Sequence, residues 1–189
     1  MHGTTLSFAN LHQHGELFAN ILRARHKTAA TAPARPDYDQ YDTPQSRWIA
    51  VYDDNGEVLA SVRLTPTTAQ CGIYSYMVRD AQNGLLDNMP RDLLDEAAPQ
   101  KVGTWEVTRG FVSPSVAPHM REEVRARLVA QLMQAAREEG ITCMLALLPS
   151  TWGRWCNRYP LSMRPAGQMF DIDGQRHQAV WIDFATPLH

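Results

Sequence analysis

The feature that most constrains the fold is a hairpin signal in the first third of the chain. Residues 47–53 (RWIAVYD) and 57–65 (EVLASVRLT) are rich in the β-branched and aromatic residues that favour strands. Between them lies Asp-Asn-Gly, a turn sequence that tight hairpins prefer. The two segments therefore predict a pair of antiparallel strands, which is the clearest local prediction that this sequence allows.

The rest of the chain alternates between helix and strand patterns. Residues 104–112 (TWEVTRGFV) alternate as a strand does, and residues 141–149 (ITCMLALLP) have the continuous apolarity of a buried central strand. Residues 117–139 form the longest predicted helix, which Gly140 ends. The other predicted elements are an amphipathic helix over 6–23 capped by Ser7, a loop over 29–36, an irregular stretch over 66–102 with a short helix near Asp92–Ala97, a helix over 151–158, and a last hairpin that turns at Asp173-Gly174. This order predicts an α/β (α+β) fold with a mixed, mostly antiparallel central sheet and helices on both faces.

Length and composition narrow the class of protein. The chain has 189 residues, which predicts a single domain over 1–189. Its net charge of -2 argues against a protein that coats nucleic acid, because phosphate binding needs a basic surface. The sequence shows neither an apolar run of membrane-helix length nor a basic-then-apolar signal pattern, so we expect a cytoplasmic protein without membrane contact. The three cysteines lack C-x-x-C spacing and predict neither a disulfide framework nor a metal site.

Two groups of charged residues lie where chemistry could use them. Asp37, Asp39 and Asp42 precede the first predicted strand, while Glu106 and Arg109 lie on the strand over 104–112. On a regular strand these last two side chains would face opposite sides, and a bulge at Val107 or Thr108 would bring both to one cleft. The alternative is a solvated acidic loop together with a cross-strand pair between Glu106 and Arg63, since exposed charges are common.

Four segments together resemble the acyl-homoserine-lactone synthase family of bacterial quorum sensing. They are Arg25, Asp39-Gln40-Tyr41-Asp42, Arg63-Leu64-Thr65-Pro66-Thr67 and Trp105-Glu106-Val107-Thr108-Arg109-Gly110-Phe111. The resemblance is strong from the N-terminal helix to about Pro114 and holds only in outline beyond it. It implies a Gcn5-related N-acetyltransferase-like fold and a two-step reaction. In that reaction the amine of S-adenosylmethionine attacks an acyl thioester, and its carboxylate then displaces methylthioadenosine to close the lactone.

The residue types of these segments fit that chemistry. Apolar neighbours could raise the pKa of Glu106 and make it the general base that deprotonates the amine, directly or through a water. Backbone N–H groups of Val107 and Thr108 could stabilise the thioester oxyanion. The substrate carboxylate needs a guanidinium fork, for which Arg109 and Arg25 are candidates. The remaining residues that the resemblance places at S-adenosylmethionine are Arg63, Asp39 and Asp42, and both aspartates could hold the ammonium, lie near the sulfonium, or pair with Arg25 or Arg63 to fix the loop.

The sequence also departs from the family pattern. Ala29 stands where the family has Phe, the loop over 29–36 is short and lacks the family's Trp, and Asp37 replaces the usual Glu. These aromatic side chains cover the adenosine and the sulfonium in the family. The phosphate-binding pattern of acetyltransferases is absent, because VSPSVAPHM occupies its place. We therefore expect either acyl carrier protein or an acyl-CoA bound in an unusual way as the acyl donor.

The acyl chain is expected between the sheet and the helices after Gly140. The candidate lining residues are Trp105, Phe111, Met144, Ala146, Leu147 and Trp152, although a plain core would have the same composition. Arg121, Arg154 and Arg158 could dock an acidic carrier protein, or could form a solvated face. We expect no permanently bound cofactor, no metal and a monomer. Two alternatives stay open: another N-acyltransferase of this fold that uses acyl-CoA, and a catalytically silent relative that only binds a ligand or partner.

Overall fold

The computed structural model describes residues 1–28, 38–152, 158–172 and 174–184. Seven strands and three α-helices lie in these ranges, and short 3-10 turns cover Pro118–Met120 and Ser150–Trp152. None of the described helices is long and apolar enough to cross a membrane. The elements in chain order are β1 (His2–Leu6), α1 (Leu11–Thr28), β2 (Arg47–Tyr52), β3 (Val58–Pro66), α2 (Met77–Gln82), β4 (Thr104–Val112), α3 (Arg121–Glu138), β5 (Cys143–Pro149), β6 (Leu161–Ile172) and β7 (Gln175–Phe184).

The described chain divides into two compact units, and the first contains Met1–Leu64 and Arg109–Ala135. Its strands β1, β2 and β3 pair antiparallel in that order. One face of these strands carries Leu6, Trp48 and Ala50, which pack against Leu17 and Ile21 of α1. Burial of this apolar face against the helix stabilises the unit.

The opposite face of the first unit's strands meets α3. Thr5 is paired with Ile49 and so lies on the face away from α1. The Gln131 side chain of α3 donates a hydrogen bond from Nε2 to Thr5 Oγ1 at 3.1 Å. A Cβ on Gly3 would lie only 2.9 Å from Gln131 Oε1, which shows how closely helix and strand approach. The helices therefore cover both faces, as the sequence predicted.

The second unit contains Thr65–Thr108 and Ala136–His189. Its strands run in the order β4-β5-β7-β6. The β4–β5 pair is parallel, whereas β5–β7 and β6–β7 are antiparallel. Val78 and Ala81 of α2 pack against Leu145 and Ala179 in a buried apolar cluster. Mixed strand directions with antiparallel pairs in the majority confirm the predicted fold class.

The N-terminal helix begins later than predicted, and the strand β1 before it was missed. Thr4 and Thr5 belong to β1 and pair with β2, where β-branched residues fit well. A turn then follows, in which Asn10 N and Leu11 N both donate to Ser7 O. Ser7 thus begins a turn rather than capping a helix, and α1 extends to Thr28 instead of ending at residue 23.

The irregular stretch before β4 also differs from the prediction. It contains α2, which was missed, while the predicted helix near Asp92–Ala97 is wrong: those residues form turns and bends. Asp95 N donates to Ala166 O of β6, so this stretch is held by a strand rather than by its own helical bonds. The predicted loop over 29–36 and residues 153–157 of the predicted helix over 151–158 lie outside the described residues. The last hairpin is confirmed as β6 and β7.

Candidate active site

Five charged side chains of the first unit form one continuous ion-pair network. Arg25 lies on α1, Asp39 and Asp42 lie in the turn before β2, Arg63 lies on β3, and Arg109 lies on β4. The order of contact along the network is Arg25, Asp42, Arg63, Asp39 and Arg109. These are the five residues that the family resemblance assigned to S-adenosylmethionine, and the fold brings them together from four parts of the chain.

Asp42 is the buried centre of this network, with only 1% of the residue exposed. Nη1 of Arg25 lies 3.0 Å from each of its carboxylate oxygens, and Nη1 of Arg63 lies 3.1 Å from Oδ1. The Trp48 indole donates to Oδ1 at 2.8 Å, and Asp39 N donates to Oδ2 at 3.0 Å. A carboxylate with this many donors fixes the turn before β2.

Asp39 joins the buried part of the network to Arg109. Its Oδ1 lies 2.5 Å from Nη1 of Arg63, and its Oδ2 accepts hydrogen bonds from Nε and Nη2 of Arg109 at 3.0 and 2.7 Å. Burial alone would raise the pKa of Asp39, but the guanidinium groups of Arg63 and Arg109 outweigh it and hold this pKa below its usual value. Asp39 is therefore held as a carboxylate between two cations.

The three arginines differ in their access to solvent. Arg25 is 3% exposed and Arg63 is 1% exposed, whereas the side chain of Arg109 is 40% exposed. Burial lowers the pKa of Arg25, and the attraction of Asp42 offsets this only in part. Burial acts the same way on Arg63, yet the two aspartates raise its pKa above the usual value. Three cations face two anions in this network, and its most exposed cation is Arg109.

The two alternatives for the acidic loop can now be separated. Asp42 is buried, so a solvated loop is wrong for this residue. Arg63 pairs with Asp39 and Asp42, which is the arrangement in which the aspartates fix the loop. Asp37 lies outside the described residues.

An extra residue in β4 accompanies Arg109. In the first unit Ser113 N donates to Leu59 O at 2.7 Å, and in the second unit Thr67 N donates to Thr104 O at 3.0 Å. From the first bond to the second, the segment that contains β3 runs over eight positions, from 59 to 67. The segment that contains β4 runs over nine positions, from 104 to 113. Such a surplus is a β-bulge. Arg109 has a φ of 55°, the only positive φ at a described residue other than glycine, so the backbone departs just after the predicted positions 107 and 108.

Glu106 lies in the second unit and is completely buried. Its Oε2 accepts a hydrogen bond from Met77 N at 3.0 Å, and its Oε1 accepts one from Val78 N at 2.8 Å. These two N–H groups belong to the first turn of α2, where Tyr76 provides no side-chain cap. The carboxylate thus caps the N-terminus of α2 from the distant strand β4.

A second buried carboxylate holds the same turn. Asp80 accepts hydrogen bonds from Ser75 N and, at 2.6 Å, from Ser75 Oγ. The Tyr76 hydroxyl donates to Pro99 O, and burial, with the nearby charge of Glu106, raises the pKa of Tyr76 above its usual value. Sequence reasoning missed this segment. The available signal was Ser75, followed five residues later by Asp80 in the first turn of α2.

The candidate acyl-pocket residues do not lie on one face. Trp105 is paired with Met144, and Val107 with Ala146, so these four share one face of the β4–β5 pair. Leu147 alternates with Ala146 and lies on the other face, in the cluster around α2.

The other candidates are spread further. Phe111 belongs to the core of the first unit beside α1, and Trp152 is half-buried in the 3-10 turn after β5. Thr108 is buried at the end of the second unit's part of β4. Arg158 is exposed, and Arg121 Nε donates to Val116 O at 3.1 Å, while Arg154 lies outside the described residues. In the described ranges no three His, Cys, Asp or Glu side chains are grouped to hold a metal ion.

Known proteins resemble this chain in sequence and in fold. No protein-family model matches the chain. Two curated acyl-homoserine-lactone synthases do: that of Ralstonia nicotianae (strain ATCC BAA-1114 / GMI1000) is 26% identical over 156 residues, covering 80% of this chain and 71% of the relative. That of Ralstonia solanacearum is 28% identical over 151 residues, covering 77% of this chain and 67% of the relative. The similarity extends over most of this chain and supports the acyl-homoserine-lactone synthase family.

Solved acyl-homoserine-lactone synthases share the fold of this chain. The acyl-homoserine-lactone synthase LasI superposes with a TM-score of 0.76 at 16% identity, over 96% of this chain and 90% of that one. BjaI, a CoA-dependent acyl-homoserine-lactone synthase solved with SAM and isopentyl-CoA, gives 0.75 at 18% identity, over 95% and 82%. An acyl-CoA N-acyltransferase from Pseudomonas aeruginosa gives 0.60 at 17% identity, over 95% and 97%. The predicted acetyltransferase-like fold is confirmed.

The similarity to acyl-homoserine-lactone synthases supports an acyltransferase, and one further aromatic residue lies at the ion-pair network. The positions at which this sequence departs from the family pattern, Ala29 and the loop over 29–36, lie outside the described residues. Tyr38, just after that loop, is 58% exposed, and its hydroxyl donates to Asp42 O at 2.6 Å. Sequence reasoning did not single it out, although its place beside Asp39 was the signal. It offers an aromatic ring tied to the ion-pair network.

Proposed function

We propose that the chain synthesises an acyl-homoserine lactone from an acyl thioester and S-adenosylmethionine, with release of methylthioadenosine. The observation that carries the proposal is the ion-pair network that ends in the half-exposed guanidinium of Arg109. A substrate with a carboxylate needs such a fixed fork. Similarity to curated acyl-homoserine-lactone synthases supports the same reaction.

In this proposal Arg109 contacts the carboxylate of S-adenosylmethionine. The other four residues of the network act through Arg109, because their charged groups already bind one another and are largely buried. They are Arg25, Asp42, Arg63 and Asp39. They are positioning residues that hold Arg109 in one orientation. Preorganised donors of this kind align a substrate without reorganising during the reaction.

Tyr38 is the aromatic ring that we place beside the sulfonium of S-adenosylmethionine. Its hydroxyl is anchored to Asp42 O, and most of the residue is exposed. A cation over an aromatic face gains about 0.5–2 kcal/mol. This contact would take over part of what the family's loop aromatics provide.

Acyl transfer then takes place at β4. Glu106 accepts a proton from the ammonium group, directly or through a water, and the nitrogen keeps the electron pair of that N–H bond. The nitrogen forms a C–N bond with the thioester carbon while the C–S bond breaks, and the leaving thiolate takes up a proton. The β4–β5 ladder ends at the Val107–Ala146 pair although both strands continue. We place the acyl carbonyl there, against backbone N–H groups of Val107 and Thr108.

Lactone closure needs no further protein group to take a proton. The substrate carboxylate that Arg109 orients attacks the carbon attached to the sulfonium. A C–O bond forms, the C–S bond breaks, and its electrons neutralise the sulfur of the leaving methylthioadenosine. The role of the protein is to hold the carboxylate in line with that bond.

The acyl chain is placed on the face shared by Trp105, Met144 and Ala146. Leu147, Phe111 and Trp152 stay secondary candidates, because the first two pack in separate cores. The likeness to CoA-dependent BjaI supports acyl-CoA as donor, whereas the missing phosphate pattern favours acyl carrier protein. Arg121 and the exposed Arg158 are the described arginines proposed to meet such a carrier.

We further propose that residues 1–189 act as one domain, as a monomer in the cytoplasm, without a permanently bound cofactor. Strands β3 and β4 each contribute residues to both compact units, which supports a single functional domain. Sedimentation of the purified chain at several concentrations tests the monomer.

The test is a product assay. The purified chain is incubated with S-adenosylmethionine and acyl-CoA or acyl carrier protein thioesters of several chain lengths, and lactone and methylthioadenosine are measured by mass spectrometry. Equal amounts of both products confirm the function. Thioester consumption with another amine, but not with S-adenosylmethionine, would indicate an N-acyltransferase, which the likeness to the Pseudomonas aeruginosa enzyme supports. Binding of S-adenosylmethionine without turnover would indicate a silent relative.

Glu106→Gln tests the general base but changes a structural contact as well. The amide nitrogen of glutamine would face one of the two N–H donors of Met77 and Val78. We therefore expect loss of amide formation together with about 1–3 kcal/mol of stability, from one unsatisfied buried donor. A variant that stays folded by circular dichroism and still turns over at the wild-type rate would remove Glu106 from the mechanism.

A further inference from the structure

The contact between Thr67 and Thr104, extended by two residues along each strand, sets Thr65 opposite Glu106. Within the second unit, Thr67 N and Thr67 Oγ1 both donate to Thr104 O, at 3.0 and 2.9 Å. Residue numbers of antiparallel partners have a constant sum, so two steps back from Thr67 and two forward from Thr104 give Thr65 and Glu106. Pro66 then faces Trp105 at a position where no ladder N–H is needed, which fits proline.

Thr65 carries a buried hydroxyl that the protein does not use. The residue is completely buried, and Oγ1 has no hydrogen-bond partner among the described residues. Directly opposite residues share a face of the sheet, with Cβ atoms about 4.5–5.5 Å apart. A buried hydroxyl without a partner is destabilising, and valine would fill the same place without that cost. The polar group therefore lies beside the proposed general base.

Glu106 gains a hydrogen-bond donor when it accepts a proton. As a carboxylate it accepts hydrogen bonds from Met77 N and Val78 N, one on each oxygen. A protonated carboxyl has an O–H donor as well, and a buried donor without an acceptor is destabilising. Thr65 Oγ1 is an acceptor on the same face, from the adjacent strand.

We propose that Thr65 is a positioning residue for acyl transfer, whose hydroxyl oxygen accepts a hydrogen bond from the protonated Glu106 carboxyl. The inference rests on the proposed function, because it requires Glu106 to take the proton of the attacking amine. The proton passes from nitrogen to a Glu106 oxygen, and Thr65 forms a hydrogen bond without gaining or losing a proton. The interaction is made after proton transfer begins, so it stabilises the transition state and not the bound substrate.

The experiment compares Thr65→Val with Thr65→Ser and with the matched control Ser61→Ala. Ser61 lies on the same strand, in the first unit, is also completely buried, and also has a hydroxyl without a partner among the described residues. Steady-state lactone synthesis and thermal melting are measured for all four proteins. One neutral hydrogen bond corresponds to a factor of about three to ten.

We expect Thr65→Val to lower kcat about threefold to tenfold with KM for S-adenosylmethionine unchanged. Its melting temperature should equal or exceed that of the wild type, because an unpaired hydroxyl is removed. Thr65→Ser should restore most of kcat, and Ser61→Ala should keep all of it. Two results would overturn the inference. One is a wild-type kcat in Thr65→Val. The other is a lower melting temperature of Thr65→Val together with an equal loss of kcat in Ser61→Ala. A wild-type chain that makes no lactone overturns the proposed function, and the inference with it.

Discussion

Replacing Asp42 with asparagine perturbs the centre of the ion-pair network without changing its size. The carboxylate binds Arg25 through both oxygens and also accepts the Trp48 indole N–H, and it is almost completely buried. Asparagine leaves Arg25 charged and 3% exposed without its counter-ion. Breaking a buried pair from one side costs about 3–5 kcal/mol. Since each kcal/mol lowers Tm by about 2–4 °C in a domain of this size, Asp42→Asn should melt about 6–20 °C below the wild type.

Urea unfolding followed by circular dichroism measures this loss, and two variants control it. Glu122→Gln removes a more exposed helical pair with Arg125 and should cost no more than about 0.5 kcal/mol. The double variant Arg25→Met with Asp42→Asn leaves no unpaired cation at Arg25, so it should recover much of the stability. A loss in Asp42→Asn as small as that of the control would refute the reasoning, as would a double variant less stable than either single one.

Three further predictions concern other parts of the chain. Gly167→Ala should cost about 1–3 kcal/mol in urea unfolding, because its Cβ would lie 2.1 Å from Leu93 O. Cys143 should resist iodoacetamide at pH 8 while exposed Cys71 reacts, because burial and a hydrogen bond with Asp183 raise the pKa of Cys143 to about 12; equal labelling by mass spectrometry would contradict this. Asp39 has a pKa below the ordinary 3.8, so its contribution to stability is complete above that pH and is lost as the pH falls below it. Acid unfolding of Asp39→Asn should lack this component, and an unchanged acid slope would be inconsistent with the network.

The parts of the fold that local signals determine were predictable. The hairpin over 47–65 and the strand over 104–112 carry their own turn residues and alternation, and both are present with nearly the expected bounds. The strand β1 was missed because Thr4 and Thr5 become strand residues only through β2. The helix α2 was missed because it has six residues, and its first turn is capped by Glu106 from 28 residues beyond Val78. Neither partner can be found by periodicity.

Which residues form the candidate site was predictable from motif resemblance, but what they bind was not. Arg25 and Arg109 are equal candidates for a carboxylate fork in the sequence. The fold distinguishes them, because Arg25 is buried against Asp42 and Arg109 is half-exposed at the bulge. Residue type defines possible chemistry, whereas burial and prior partners decide which charges remain accessible. Thr65 illustrates the same limit, because its proposed place opposite Glu106 follows from the contact between Thr67 and Thr104, which the sequence does not reveal.

The two proposed centres handle charge in opposite ways. In the first unit, the buried opposite charges neutralise one another, and the excess positive charge lies on Arg109. The φ of 55° at Arg109 costs about 1–3 kcal/mol at a residue other than glycine. In the second unit, the Glu106 carboxylate accepts hydrogen bonds from the backbone N–H groups of Met77 and Val78. An ion-paired carboxylate gives up its partner's attraction when it takes a proton, whereas one held by two neutral donors gives up less. We propose on this ground that Glu106, and neither Asp39 nor Asp42, accepts a proton from the substrate.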